Sequence, residues 1–380
     1  MLIIDEITIA LCIIVILLAI MASLINPLLH RISVVDNEYV ADQLPPISIL
    51  IPEHDNAKEL DQNLALFLNQ KYPIDYQIIV ITEEGHGDTE DVLKKYSNNS
   101  HLYTTYIPQS SRYMSRKKLQ ITLGVKAAKH EWILLTDPSC KPLNENWLAT
   151  MASKCNNQSN IVLGYTTLEE GTNEYRRFEH INTAHYILNQ ANRGQAYITN
   201  MQNLMFRKSE FLQKGGFLGN LDQIRGEYYF LVNKFSEDSK TKIITDRDSW
   251  LEEQEPSDKE WNNRHLYYLA ARKDLKRSKK IHYKMLVNEI IPHLSILTSL
   301  GIIVYSVNSQ KWLLTACSIL SIVILFFARS IIASKAIKPF YDDLAIWKIP
   351  FYELSLIWHR IYYHISYMKA DKRDFTTHKL

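Results

Sequence analysis

The chain has 380 residues, 46% of them hydrophobic and 22% charged, with a formal net charge of +2. That is enough for one large domain or two smaller ones, and so small a net charge argues against a general nucleic-acid binder, which would be clearly basic. The four cysteines, Cys12, Cys140, Cys155 and Cys317, have no metal or redox spacing and read as reduced, buried thiols.

In chain order, the first element is an apolar run from Ile7 to Ile25, about long enough to cross a ~30 Å hydrocarbon layer. Asp5 and Glu6 precede it instead of lysines, and no A-x-A site follows, so an uncleaved anchor is predicted rather than a signal peptide. A region of alternating elements comes next. Ile47 to Ile51 is an apolar strand. Lys58 to Asn69 has helical period, with Leu60, Leu64, Leu66 and Leu68 apolar. Gln77 to Ile81 is a β-branched strand, followed by the loop "EEGHGDT" and a helix from Thr89 to Tyr96. A strand near Tyr103 to Ile107, a helix from Leu119 to Lys129 and a strand from Trp132 to Leu135 complete the pattern.

Strands alternating with helices predict an α/β fold, a mostly parallel sheet with helices on both faces. In such sheets ligands bind beyond the carboxyl ends of the strands. Three of those ends carry polar clusters: Glu53, His54 and Asp55; Thr82, Glu83 and Glu84; Thr136, Asp137 and Ser139. No G-x-G-x-x-G follows a strand and no G-x-x-x-x-G-K-[ST] occurs, which counts against dinucleotide and P-loop sites.

Two more apolar runs follow, Met285 to Val307 and Trp312 to Ala333, with "NSQK" between them, so a tight helical hairpin is predicted. Asn288, Glu289 and His293 fall near the start of the first of these, either facing a partner helix or lining a polar path. Arg272, Lys273, Lys276, Arg277, Lys279, Lys280 and Lys284 crowd the approach to that run, and Arg329, Lys335 and Lys338 lie at the end of the last one. The hairpin tip holds only Lys311. The positive-inside rule then puts the N-terminus outside and the α/β region and tail in the cytoplasm. The basic run doubles as a lipid-headgroup signal. From Pro350 a tail helix is predicted, with Phe351, Leu354, Trp358, Ile361 and Ile365 at three- and four-residue steps; it suits a membrane interface or packing on the α/β domain. The predicted division is an anchor over 1–27, a cytoplasmic domain over 28–284, a transmembrane hairpin over 285–334 and an amphipathic tail over 335–380.

Several segments, in this order, resemble the membrane-anchored bacterial members of glycosyltransferase family 2, inverting enzymes of GT-A fold. "ISILIPEHDN" resembles the first strand and nucleotide loop, "YQIIVITEEGHGDT" the second strand with its acidic turn, and "SRKKLQITLGVKAAKHEWILLTDPSCKP" the helix and strand leading to a D-x-D metal site. "NMQNLMFRKSEFLQKGGF" resembles the acceptor-side segment, "GEYYFLVNKFS" the segment carrying the catalytic base, and "NNRHLYYL" the Q-x-x-R-H/W element. The resemblance implies a nucleotide-diphosphate sugar bound by Pro52, His54, Asp55, Glu83, Lys118 and Asp137. It places Asn203, Arg207, Arg264 and His265 on the acceptor and phosphate side, with Lys117 as a further candidate to neutralise phosphate. Glu227 is the candidate base. A Mg2+ or Mn2+ ion on Asp137 is implied if the site is active, and none if it is not. The implied partners are a lipid-linked or envelope glycan acceptor, membrane lipids and a partner glycosyltransferase, in a bacterial inner membrane.

The chain departs from that pattern at its acids. Thr82 stands where members usually have Asp, Ser139 replaces the last Asp of D-x-D, and the base position aligns with Tyr228, a phenol with a reference pKa near ~10. Trp261 replaces the Gln of Q-x-x-R-H. A divergent transferase and a non-catalytic scaffold or regulatory partner of an active one both fit this pattern. A transporter or channel does not, because three spans leave little room for a pore.

Overall fold

The computed structural model describes residues 5–34, 40–108, 115–276, 278–341 and 344–376. Arg277 of the basic run lies outside the described residues, as do the side chains of 280–282, Lys280 among them. The chain forms two compact units. One gathers Met1–Ile32, Asn173–Tyr186 and Arg277–Tyr362; the other gathers Ser33–Thr172, Ile187–Lys276 and Tyr363–Leu380.

The second unit is built on ten strands: β1 (Ile47–Pro52), β2 (Tyr76–Glu83), β3 (Leu102–Ile107), β4 (Trp132–Leu135), β5 (Cys140–Pro142), β6 (Ile161–Leu163), β7 (Thr166–Leu168), β8 (Leu204–Arg207), β9 (Thr241–Ile243) and β10 (Leu251–Glu253). Seven make one sheet in the order β3-β2-β1-β4-β8-β6-β9, and three make a small sheet, β5-β10-β7. β3, β2, β1 and β4 run parallel, while β8 runs antiparallel to both β4 and β6. This is the mixed α/β architecture with a mostly parallel sheet that the alternation predicts.

Strand periodicity sorts the core into two faces. Ile47, Ile49, Ile51, Ile78 and Val80 pack with Leu60, Leu64 and Phe67 of the helix Ala57–Leu68. Leu66, expected with that apolar set, is exposed instead, since 100° per residue turns it away from Leu60 and Leu64. Leu50 and Ile81 face the helix Arg116–Ala127 at Gly124, where a Cβ would stand 2.8 Å from Ile81 Cδ1 and 3.2 Å from Leu50 Cδ2. A large side chain here would hold this helix off β1 and β2. The helix begins one turn earlier than its apolar pattern predicts, because the Ser115 hydroxyl caps it by accepting from the Lys118 N–H.

Among the described residues, the first unit holds three helices long and apolar enough to cross a membrane, over Glu6–Leu24, Tyr283–Asn308 and Trp312–Ile337. On the first, Cys12, Val15, Ala19, Ala22 and Ser23 are buried, whereas Ile13, Leu17, Met21 and Leu24 point outward. Small residues inside and large apolar ones outside are compatible with helices packed in hydrocarbon. Ser299 and Ser321 share a 2.7 Å hydrogen bond across the hairpin, as do Ser306 and Thr315. Asn288 and Glu289 face charged partners: Arg329 donates to Asn288 Oδ1 at 3.2 Å and to Glu353 Oε2 at 2.5 Å, and Arg360 donates to Glu289 at 2.5 Å. The tail helix spans Ile349–Lys369 and leaves Phe351, Trp358, Ile361, Ile365 and Met368 exposed. All four cysteines are free; three are buried and Cys317 is half-buried.

Candidate functional site

The parallel strands β1, β2 and β4 end side by side, so their carboxyl ends deliver three polar clusters to one edge of the sheet. β1 ends at Pro52, which pairs with Ile81. Glu53 is fully buried just beyond, its Oε2 accepting from the Thr82 hydroxyl at 2.7 Å and its Oε1 from the Asn56 N–H at 2.9 Å. Thr82 therefore orients an acid from the neighbouring strand in place of supplying one itself. Asp55 follows with φ +57, the left-handed region that Asp tolerates better than most side chains.

Glu83, buried at the end of β2, is the centre of the second cluster. His54 Nδ1 lies 3.0 Å from Glu83 Oε1, and Arg116 pairs with Glu83 Oε2. His86 approaches both Glu83, at 3.7 Å, and Asp55, at 3.9 Å. Burial pushes the His54 imidazole below its usual range, with the nearby Asp55 charge opposing. The loops after β1 and β2 border a hollow lined by Asp55, Ala57, Gly85, His86 and Gly87.

The third cluster is built on Asp137, beyond the end of β4. Lys117 donates to Asp137 Oδ1 at 2.5 Å, and the Tyr228 hydroxyl donates to Oδ2 at 3.2 Å. The Lys117 ammonium also lies 5.6 Å from the Tyr228 ring centroid. Arg116 and Lys117, consecutive residues in the first turn of one helix, thus tie Glu83 and Asp137 to the same place. His54, Glu83 and Asp137 thus follow adjacent strands and are linked through two consecutive residues of one helix.

The helix Glu227–Phe235 points its N-terminus at this edge. Gly226, with φ +100, makes the turn into it. Its register puts the Tyr228 hydroxyl, not the Glu227 carboxylate, on Asp137. Glu227 is buried, and its Oε1 has no hydrogen-bond partner among the described residues. Burial, reinforced by the Asp137 charge, pushes the Tyr228 phenol well up, so it stays protonated and acts as a donor.

The other sequence-predicted residues are held by contacts within the protein. Lys118 is fully buried, and its ammonium donates to Asn220 O at 2.6 Å, to Asn220 Oδ1 at 2.8 Å and to Gln223 O. All three protons hold the loop before Gly226, and none is left for a phosphate. Asn203 is buried and donates to Tyr165 O and Ser249 O at 3.0 and 2.8 Å, joining three segments of backbone. Arg207 pairs in register with Trp132, the first residue of β4, so it lies at the end of the sheet away from Asp137. There it donates to Ser159 O and Asn156 O and covers the Trp132 ring. Arg264 makes a two-pronged pair with Glu253, the last residue of β10, which is buried. His265 stacks on Tyr363 at 3.9 Å. Ser139 is half-buried, and its carbonyl accepts from Gln254 N–H at 3.0 Å.

Sequence reading missed Arg116, His86 and Glu253. Arg116 stands beside Lys117 and Lys118 and His86 within the loop "EEGHGDT", so both had a local signal. Glu253 had none, because only the pairing of β10 with β5 brings it beside Cys140.

Comparison with known proteins adds three findings. The family model described as glycosyl transferase family 21 matches residues 11–364. The chondroitin synthase of Escherichia coli is 28% identical over 117 residues, a match covering 31% of this chain and only 16% of that protein. Among solved structures, the mannosyltransferase PcManGT from Pyrobaculum calidifontis in complex with GDP-Man and Mn2+ aligns with a TM-score of 0.51 at 14% identity, over 88% of this chain and 99% of that one. S. aureus TarS 1–349 in complex with UDP-GlcNAc aligns at a TM-score of 0.44 and 11% identity, over 82% and 88%. The fold is that of GT-A-type glycosyltransferases, as the motif order implies; the matching family is family 21, where the motifs resembled family 2.

That fold raises the question of a divalent cation. Mg2+ and Mn2+ need hard anionic oxygens. Here both Asp137 oxygens already accept from the protein, Ser139 adds no charge, and Glu83 and Glu253 are each paired with an arginine. Among the described residues no three His, Cys, Asp or Glu side chains converge on a point that a metal ion could fill. The donor set does not fit a divalent cation.

Proposed function

The chain belongs to glycosyl transferase family 21, and from that premise we propose that it is a membrane-anchored transferase that moves a sugar from a nucleotide-diphosphate sugar to a lipid-linked or envelope glycan acceptor. The observation that carries this reading is the convergence of His54, Glu83 and Asp137 at the carboxyl ends of β1, β2 and β4, where open parallel sheets bind their ligands. In this reading Pro52, His54, Asp55 and Glu83 bound the nucleoside, with the hollow beside Asp55 and His86 receiving its base. Asp137 lies beside the diphosphate, and Arg264 and His265 stand toward the acceptor. Glu227 is the base, its buried carboxylate keeping one oxygen unspent. The α/β unit faces the cytoplasm of a bacterial cell and the apolar helices cross its inner membrane, an assignment supported by helix length and by the arginines and lysines flanking them.

Binding of UDP- and GDP-sugars by the purified full chain in detergent tests this. Saturable binding of at least one, lost in Asp137→Ala, is expected; no binding across the panel sinks the reading. Glu227→Gln addresses the base separately. Binding should survive it and transfer to a lipid extract should not, and transfer that persists would reassign the base.

A second reading is favoured by one contact, the Tyr228 hydroxyl bound to Asp137 where a carboxylate base is expected. In it the chain holds a sugar nucleotide without transferring the sugar and serves a partner transferase. Binding with no turnover on any acceptor, in wild type and in Tyr228→Asp alike, would select it.

A further inference from the structure

The pairing at Asp137 says more about how a diphosphate would be held. Asp137, Glu83 and Glu253 each have a cation of the protein's own. Lys117 is on Asp137 at 2.5 Å, Arg116 is on Glu83, and Arg264 is on Glu253. The Lys117–Asp137 pair is enclosed, the two side chains being 17% and 16% exposed. It is fixed from the other side by the Tyr228 hydroxyl and ring.

We propose that Lys117, seated on Asp137 and braced by Tyr228, occupies the position of the catalytic divalent cation, so that the chain grips a nucleoside diphosphate through Lys117 and Arg116 without metal. This rests on the nucleotide-sugar reading above and goes beyond it by naming what neutralises the diphosphate. Charge balance favours it. A D-x-D pair offers two negative charges to a dication, and here a single carboxylate meets a single ammonium. Ser139, in place of the second acid, is what makes the lysine sufficient. A dication would have to strip Lys117 from Asp137 and then lie beside the displaced ammonium in a site with little water to screen it. Lys117 spends one of its three N–H donors on Asp137, leaving two for phosphate oxygens. Arg116 is 46% exposed, and its planar fork suits bidentate contact with phosphate. The substitutions at Ser139 and Tyr228, which look like losses when read one at a time, then form a set with Lys117. One removes the charge that would call for a dication, and the other holds the remaining carboxylate in position for the lysine.

The test is calorimetric titration of the full chain in detergent with UDP and with GDP, once in EDTA and once with Mn2+. The expected result is the same affinity in both buffers, reduced about tenfold or more in Lys117→Met, the loss expected for a charge-assisted contact to phosphate. Lys117→Arg should keep metal-free binding and serves if Lys117→Met does not fold. The double variant Lys117→Ala with Ser139→Asp should bind Mn2+ by electron paramagnetic resonance, where the parent chain does not. Nucleotide binding that appears only with Mn2+ overturns this inference and leaves the nucleotide-sugar reading standing. Tight Mn2+ binding by the parent chain that disappears in Asp137→Asn does the same. Failure of UDP and GDP to bind in either buffer, with the UDP- and GDP-sugar panel silent too, removes both.

Discussion

Replacing Lys118 by methionine isolates the device that holds the loop before Gly226. The side chain is fully buried, and its ammonium donates to two atoms of Asn220 and to Gln223 O. Removal leaves three buried oxygens without donors, at ~1–3 kcal/mol each. An opposing term exists. Burial pushes this lysine down to about 8, so the folded chain carries ~3 kcal/mol of unfavourable charge burial that methionine relieves. The orphaned oxygens outweigh it, and the net loss is about 2–4 kcal/mol, or ~5–15 °C in Tm for a unit of this size. The pH dependence has a definite sign. Between about pH 8 and 10.5 the folded lysine is neutral while the unfolded one keeps its proton, so the parent gains stability as pH rises and the variant does not. The gap between them therefore widens across that window. Thermal unfolding of the full chain in detergent at several pH values, with hydrogen exchange over the loop 217–226, measures both. A loss below ~1 kcal/mol that does not change with pH would refute the assignment of Lys118 as the loop anchor.

Other perturbations probe separate parts of the molecule. Arg264→Met leaves the buried Glu253 without its partner and should cost about 3–5 kcal/mol by denaturant unfolding, whereas Glu253→Gln with Arg264→Met should recover at least half of it. Gly124→Leu forces a side chain against Ile81 and Leu50 and should destabilise by ~1–3 kcal/mol. Gly124→Ala should stay near neutral, because the ~1 kcal/mol gain in helix propensity offsets a shift of the flexible Ile81 terminus. His185 is fully buried with Nε2 accepting from the Ile32 N–H at 3.1 Å, and burial, with His30 adding repulsion, pushes it down to about 4. The folded chain resists protonation that the unfolded chain accepts near 6.5, so stability from His185 is complete above that value and falls as pH drops toward 4. The loss is about 3 kcal/mol, visible as an acid limb in Tm against pH that His185→Gln should flatten.

The sequence determined what depends on local periodicity and on polymer length. Strands β1 and β4 and the helices beyond β1 and β2 were legible within a residue or two, because a buried parallel strand must be apolar throughout and a surface helix must repeat near 3.6. The three apolar helices were legible because unbroken apolar runs of that length stand out from the rest of the chain. The shorter strands β5, β6, β7, β9 and β10 were not read, since three residues carry no period. The S-x-x-E signature at Ser257 and Glu260, a capping box in the structure, is a local signal that hydrophobic periodicity alone does not show.

Only the tertiary structure decided what the charged residues do. Lys117 and Lys118 are indistinguishable by type and adjacent in the chain, but a helix turns them 100° apart. One therefore meets Asp137 at the site, and the other lies beneath it holding Asn220 and Gln223. Glu227 and Tyr228 separate the same way, and the turn at Gly226 selects the phenol for Asp137. Arg207 lies at the far end of the sheet because β8 runs antiparallel to β4, and direction within a sheet is a property of pairing rather than of any residue. The sequence thus set the frame and named most of the acids and bases at its edge. Which of them face one another depends on side-chain direction and strand order, and these exist only once distant segments have packed.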